Sequence, residues 1–450
     1  MSPMSKTPET ILVNGLIFAD PASPNVVPHG STVISGAHLA QVNQPLEDDQ
    51  ALTAIDCSHC LIMPGLVNAH THAAMSLLRG IADDLPLQKW LHDFIFPVEE
   101  KHANPEFVYL GTCLSAVEMA LAGITTFADG YFHMEQSAAA ALDVGLRGVI
   151  AQGILDVPSP DAPQAGSWKD RARTFLDRCP KDPLITPALF CHSPYLCSPD
   201  TFRKAHEMAR ERGLLLFSHV SESRGEVEDI TRRYGARPLE YLHRAGVLGT
   251  HFVAVHAIHL SEGEKDLLEE TGTSVVHCPE CNMKLASGAA AAWEFVQRGT
   301  TVALGTDGAA SNNNLDVFEE MRSASLMAKL VTGDPEALPA AAAVRMATVD
   351  AAKALGLDDR IGTLEPGKLA DLIVVDLDRP HLVPLYDPVS QLVYSARGSD
   401  VKHVFVNGRL IVRDGRMTTI DERQLQWRVT EMAGNISKGL GLTNYRDSQK

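Results

Sequence analysis

Two histidines one residue apart close an apolar run in the segment Asn68-Ala69-His70-Thr71-His72. In an extended strand, residues i and i+2 point to the same side, so His70 and His72 can reach one metal ion together. Three further runs end in groups of suitable chemistry: Ser218-His219-Val220-Ser221-Glu222, Val255-His256 and Gly305-Thr306-Asp307-Gly308. A lone His at a strand end is more often a hydrogen-bonded structural residue than a ligand. Four separate strand ends that each deliver an imidazole or a carboxylate are much harder to obtain by accident. If these ends converge, three or four imidazoles and a carboxylate gather on one rim. Such a set suits Zn2+, with Fe2+ or Mn2+ as alternatives.

Convergence requires a particular arrangement of strands. Eight apolar runs read as strands: Leu66–His70, Ile124–Ala128, Gly148–Gln152, Leu184–Phe190, Leu214–His219, Phe252–His256, Ser274–His277 and Thr301–Thr306. Helical patterns lie between most of them, among them Phe107–Leu121, Pro199–Arg212 and Ser261–Glu270. Eight β-then-α units fit a (β/α)8 TIM barrel, whose active sites sit at the C-terminal ends of the strands. An open doubly wound sheet would place a Gly-rich phosphate loop after the first strand, and none is present. Two-metal hydrolases of this architecture usually carry a bridging Lys at the end of strand four. No Lys lies between Pro183 and Arg203, so one divalent metal per chain is expected.

Both chain ends read differently from the middle. Ile11–Asn14, Ser31–Ile34 and Leu39–Asn43 read as short strands, as do Asp371–Asp376, Lys402–Val406 and Arg409–Arg413 around an Asn407-Gly408 turn. The expectation is a small β-sandwich domain built from residues 1–63 and 364–420. The barrel, 64–363, is inserted between them. Residues 421–450 are expected as a C-terminal helix and tail, with Leu425, Val429, Met432 and Ile436 at helical spacing.

Composition narrows the class. The 450 residues are 45% hydrophobic and 21% charged, which supports a sizeable core. A net charge of −17 argues against nucleic acid or an anionic membrane as partner. No apolar run approaches the roughly 20 residues that span a bilayer. Met1 to Thr10 lacks the apolar stretch of a signal peptide. Eight cysteines are too sparse for a disulfide framework, so a cytoplasmic protein is expected. A homo-oligomer remains open. Cys57-Ser58-His59-Cys60 and Cys278-Pro279-Glu280-Cys281 have zinc-site spacing, but the first precedes strand one and the second follows strand seven. They should lie at opposite rims as ordinary buried thiols. His133-Met134-Glu135 lies far upstream of the second pair, and His277 rather than Pro precedes Cys278, so the His-x-Glu…Pro-Cys-x-x-Cys deaminase pattern is rejected.

Pro64-Gly65-Leu66-Val67-Asn68-Ala69-His70-Thr71-His72 resembles the signature of the amidohydrolase superfamily. Ala73-Ala74-Met75-Ser76-Leu77-Leu78-Arg79-Gly80, His277-Cys278-Pro279, Asn282 to Gly288, and Gly305 to Asn313 narrow the resemblance. They are similar to the 5-methylthioadenosine/S-adenosylhomocysteine deaminases and their triazine-hydrolase relatives. The resemblance runs over roughly residues 10 to 415 and implies a role for each matching position. His70, His72, His219 and Asp307 would be the metal ligands. Glu222 and His256 would act beside the metal. Glu99 would hold the ribose hydroxyls, and His192 would also face the sugar. Some members place an Arg where Gln152 stands. Gln cannot supply a guanidinium fork, so a charged amino-acid tail on the substrate should bind less well, unless Arg171 or Arg173 substitutes.

The implied reaction is hydrolytic deamination at C6 of an adenine nucleoside. Removing an aromatic amine by water needs a hydroxide at neutral pH, and a metal lowers the pKa of water enough to supply one. Asp307 can take the water's proton and later pass it to the leaving amine. His256 can orient the nucleophile. Attack at C6 puts negative charge on ring N1, and Glu222, three residues beyond His219, can reach in as the proton donor. Its competing role is to orient His219. A triazine chlorohydrolase or a guanine-type aminohydrolase would use the same metal site. A ribose site at Glu99 and His192 separates the readings.

Overall fold

The computed structural model describes residues 9–23, 25–43 and 52–440. Eight parallel strands follow one another in chain order: Leu66–Thr71, Ile124–Tyr131, Arg147–Ile154, Ile185–Cys191, Leu216–Val220, Phe252–His256, Ser274–His277 and Val302–Leu304. Each expected barrel run is therefore a strand, shifted at its ends by a few residues. Val67, Ala69, Val149, Ala151, Phe190, Phe217, Val253 and Val255 alternate along their strands and fill the interior, as a packed barrel requires.

The ring closes without a continuous ladder between its first and last strands. Asn68 bridges the seam, its Nδ2 donating to Thr306 Oγ1 (2.8 Å) and its Oδ1 accepting from Thr306 N (3.1 Å). The Asp307 amide donates to the His70 carbonyl at 3.1 Å. Gly305 permits this approach, since a Cβ there would lie 2.9 Å from His70 Cβ.

The helices carry their own start and stop chemistry. Ser198 caps Pro199–Arg212 through the Thr201 amide at 3.2 Å, and Gly213 ends it in the left-handed region. Ser261 and Glu264 form a capping box on Glu262–Thr271.

Both chain ends join one mixed sheet of nine strands. The expected end strands are present, and three more complete the sheet: Leu52–Asp56 and Cys60–Pro64, both parallel to the first strand, Glu9–Phe18, and the short Arg416–Met417, antiparallel to Arg409–Arg413. Cys60–Pro64 pairs antiparallel with Leu372–Asp376 and so joins the two chain ends. A bidentate ion pair locks this sheet to the barrel floor. Arg147, at the start of the third barrel strand, donates from Nε and Nη2 to Asp371 at 2.9 and 3.0 Å, and both side chains are almost wholly buried. Arg147 Nη1 also reaches the Pro183 carbonyl, and Asp371 accepts the Asn407 amide. The C-terminal helix, Glu422–Leu440, buries Leu425 and Ile436 and packs on Pro105–Leu121. The expected tail and the first eight residues lie outside the described residues. No helix among the described residues is long and apolar enough to cross a membrane.

Candidate active site

Donor atoms of His70, His72, His219 and Asp307 all lie within 4.8 Å of one another at the C-terminal rim. The first strand delivers His70, and His72 stands just beyond it, at the start of the 3-10 turn Ala73–Leu78. His219 lies within the fifth strand, and Asp307 follows the eighth in a left-handed conformation, φ 60°.

The contacts fix which atoms point inward. His72 Nδ1 sits 2.6 Å from the Gly130 carbonyl, which can only accept, so Nδ1 carries the proton and Nε2 keeps its lone pair. His72 Nε2 is 3.3 Å from His219 Nε2 and 3.3 Å from Asp307 Oδ1, and His70 Nε2 is 3.5 Å from that oxygen. A tetrahedral ion with ligand distances of about 2.0–2.1 Å has edges of about 3.3–3.4 Å. His70 Nε2 is buried without a hydrogen-bond partner, the state a ligand atom shows before its ion is considered. Burial pushes His70 down to about 4 and His219 well below the usual imidazole range, so both offer neutral nitrogen. Burial opposes ionisation of Asp307, but the imidazoles of His70, His72 and His256 outweigh it and hold the carboxyl well below its ordinary value. The donor set therefore fits a divalent cation, and this cluster is the one the described residues form.

Around the four donors stand groups whose contacts no sequence pattern announced. Asp307 Oδ2 accepts from Cys281 Sγ (2.8 Å) and Ser311 Oγ (3.0 Å), while Oδ1 accepts the Gly308 amide (2.8 Å). Cys281 is thus more than a buried thiol, since it helps aim the carboxylate. Cys57 and Cys60 belong to the end sheet, apart from Cys278 and Cys281, and all eight cysteines are free and buried. His256 Nδ1 is held by Asn282 Oδ1 at 3.0 Å, and its Nε2 faces Glu222 Oε2 at 4.0 Å. Glu226 accepts the amides of Ser221 (3.0 Å) and Glu222 (2.8 Å), pinning the turn that carries Glu222. Burial, with the charge of Asp307 adding to it, pushes Glu222 up to about 8.

His72, His219, His256, Glu222 and Asp307 open onto one cavity of about 620 Å3. Glu99 and His192 line it too, so the expected metal, catalytic and ribose residues all reach it except the buried His70. Glu99 comes from the helix Phe96–His102, directly after a π-helical turn, Leu91–Ile95, of the kind found at functional sites. One Glu99 oxygen accepts the Tyr131 hydroxyl at 2.7 Å, and burial raises its carboxyl to about 7. Gln152 does not line the cavity. Its amide donates to Asp161 at 3.0 Å and so holds the wall segment 155–163. Arg171 is likewise spent on Asp161 and Glu135, which also removes Glu135 from any metal role, and Arg173 projects into solvent.

The family model for the amidohydrolase family matches residues 61–411. The chain belongs to the amidohydrolase family. This amidohydrolase is 44% identical, over 96% of its own length and 99% of the relative's, to the 5-methylthioadenosine/S-adenosylhomocysteine deaminase of Syntrophobacter fumaroxidans. Among solved structures, an adenosine deaminase from Xanthomonas campestris with bound zinc superposes with a TM-score of 0.93 at 36% identity, covering 97% of this chain and 100% of that one. The zinc-complexed atrazine chlorohydrolase of Arthrobacter aurescens shares the fold, with a TM-score of 0.88, at 22% identity over 94% of this chain and 100% of the other. The resemblance read from the motifs is thus shown at the level of the family and its relatives.

One cluster and no bridging Lys lead to a stoichiometric expectation for the amidohydrolase. Elemental analysis of active protein should return about one equivalent of divalent metal per chain. Two equivalents, both needed for activity, would overturn the single-metal reading.

Proposed function

We propose that this amidohydrolase removes the C6 amino group of 5'-methylthioadenosine, S-adenosylhomocysteine or both by hydrolysis, giving the inosine analogue and ammonia. The observation that carries the reading is the placement of Glu222: a carboxyl whose burial favours its protonated form, on the same cavity wall as the four-donor cluster. His70, His72, His219 and Asp307 would hold one Zn2+, the ion that neutral imidazoles and a carboxylate suit best. When bound, the metal supplies the Lewis acidity that makes water nucleophilic at neutral pH. Asp307 accepts the proton of the attacking water and returns it to the departing amine. His256, its Nδ1 tied to Asn282, turns Nε2 toward the reacting atoms and steadies the nucleophile. Glu222 gives its proton to N1 as C6 becomes tetrahedral and takes it back when the C–N bond breaks. The second Glu99 oxygen, not taken by Tyr131, receives the ribose hydroxyls, with His192 beside it. Eight free thiols fit a reducing compartment, and we place the enzyme in the cytoplasm.

A panel of purine nucleosides, free bases and triazines, assayed for ammonia release, tests the substrate class. Methylthioadenosine should be turned over, adenosine less well for want of the thioether, and free adenine poorest. Glu99→Ala should cost the nucleosides about 10–100-fold in kcat/KM, the worth of hydrogen bonds to a charged group, and leave adenine nearly unchanged. Equal turnover of adenine and the nucleosides would remove the ribose argument.

A further inference from the structure

The wall of the cavity beyond the metal cluster is uniform in one respect. No lysine or arginine is among the described residues that line it, whereas four acidic side chains are: Glu99, Glu100, Glu222 and Asp307. The segment that faces the cavity after the third barrel strand is apolar but for Ser159, with Leu155, Val157, Pro158, Pro160 and Pro163. Arg171, on the helix Trp168–Arg178 that follows that segment, has its Nε on Asp161 at 2.7 Å and its other arm on Glu135, and neither it nor Lys169 reaches the lining. Gln152, the remaining polar group at this strand end, is also turned onto Asp161.

We infer that this amidohydrolase sorts 5'-substituted adenosines by the charge of the 5' tail: its cation-free, acid-bearing cavity accepts neutral and cationic thioether tails and rejects those ending in a carboxylate. The inference rests on the nucleoside reading above and adds the substrate class within it. A carboxylate that enters loses water and meets no compensating donor cation, and such desolvation is costly. An uncharged alkylthio tail gains from burial against Leu155, Val157 and the prolines. An ammonium gains the exposed Glu100 carboxylate. A zwitterionic amino-acid tail satisfies only one of its two charges.

Three near-isosteric substrates isolate the effect at pH 8, where a free imidazole is neutral: 5'-butylthio-, 5'-(3-aminopropylthio)- and 5'-(2-carboxyethylthio)adenosine. The metal-loaded enzyme should deaminate the first two with kcat/KM values within a few-fold of each other, and the third at least about tenfold less well. Val157→Lys, at a position 45% exposed on the wall, should raise the carboxyethyl-to-butyl ratio by about fivefold or more. Glu100→Gln should lower the aminopropyl-to-butyl ratio. A carboxyethyl substrate turned over within about twofold of the butyl one overturns the inference, even if all three are deaminated. If none is deaminated, the nucleoside reading falls instead. Calorimetric Kd values of the same three compounds on the metal-loaded protein then decide the charge ranking by themselves.

Discussion

Glu222→Gln should lower kcat by about 10²-fold or more while metal content stays at the parental level. The substitution keeps shape and hydrogen-bonding capacity but removes the transferable proton. The backbone should not move, because Glu226 pins the amides of Ser221 and Glu222 independently of the side chain. The four metal donors are likewise untouched. A purely orienting role for Glu222 would leave kcat near normal and show as altered metal affinity. The pairing of kcat with elemental analysis therefore separates proton donor from orienter, and a variant with near-parental kcat sinks the donor role.

Asp371→Ala should destabilise the protein by about 3–5 kcal/mol, read as a lowered urea midpoint. Removing this carboxylate leaves the Arg147 guanidinium buried and without its bidentate partner. It also strips the Asn407 amide of its acceptor. The double variant Arg147→Met with Asp371→Leu should recover much of the loss, since a buried ion pair replaced by apolar groups of similar volume is often nearly neutral. The pair lies at the N-terminal end of the third strand, opposite the catalytic rim, so residual folded protein should keep its parental kcat. A single variant within about 1 kcal/mol of the parent would mean that the pair is not a lock between sheet and barrel.

How much of this was legible in the sequence depends on the range of the interaction. His70, His72, His219, His256 and Asp307 stood at the ends of apolar runs, and strand geometry alone sends such ends to one rim. Cys60–Pro64 escaped because it runs into the first barrel strand with only Gly65 between, so one long apolar run holds two strands of different sheets. Arg147 escaped because a charged residue reads as a boundary, while its partner lies 224 residues away. Cys281 and Asn282 sit on the short helix Pro279–Lys284, Glu226 in the first turn of Arg224–Tyr234, Ser311 in the turn after Asp307 and Tyr131 at the end of the second barrel strand, and no local periodicity encodes which distant group each of them meets. Gln152 stands where some members of the family place an Arg, and the sequence leaves open whether it or a nearby Arg meets the substrate. The structure turns Gln152 aside, since Asp161 offers it a nearer partner.

The seam between the first and last barrel strands also has a consequence in time. Asn68 and Thr306 are 238 residues apart in sequence. At about 5–20 residues per second, a ribosome needs about 12–48 s to make the second after the first. Throughout that interval the nascent chain carries His70 and His72 without Asp307, and early on without His219 as well. A passing ion meets an open imidazole pair, or three imidazoles once His219 has been made, and imidazoles alone do little to tell one transition metal from another. Discrimination begins only when the last strand docks and Asp307 completes the set. The choice of metal is thus deferred to the final act of folding, and the histidine pair that a scan of the sequence finds first is the last part of the site to become selective.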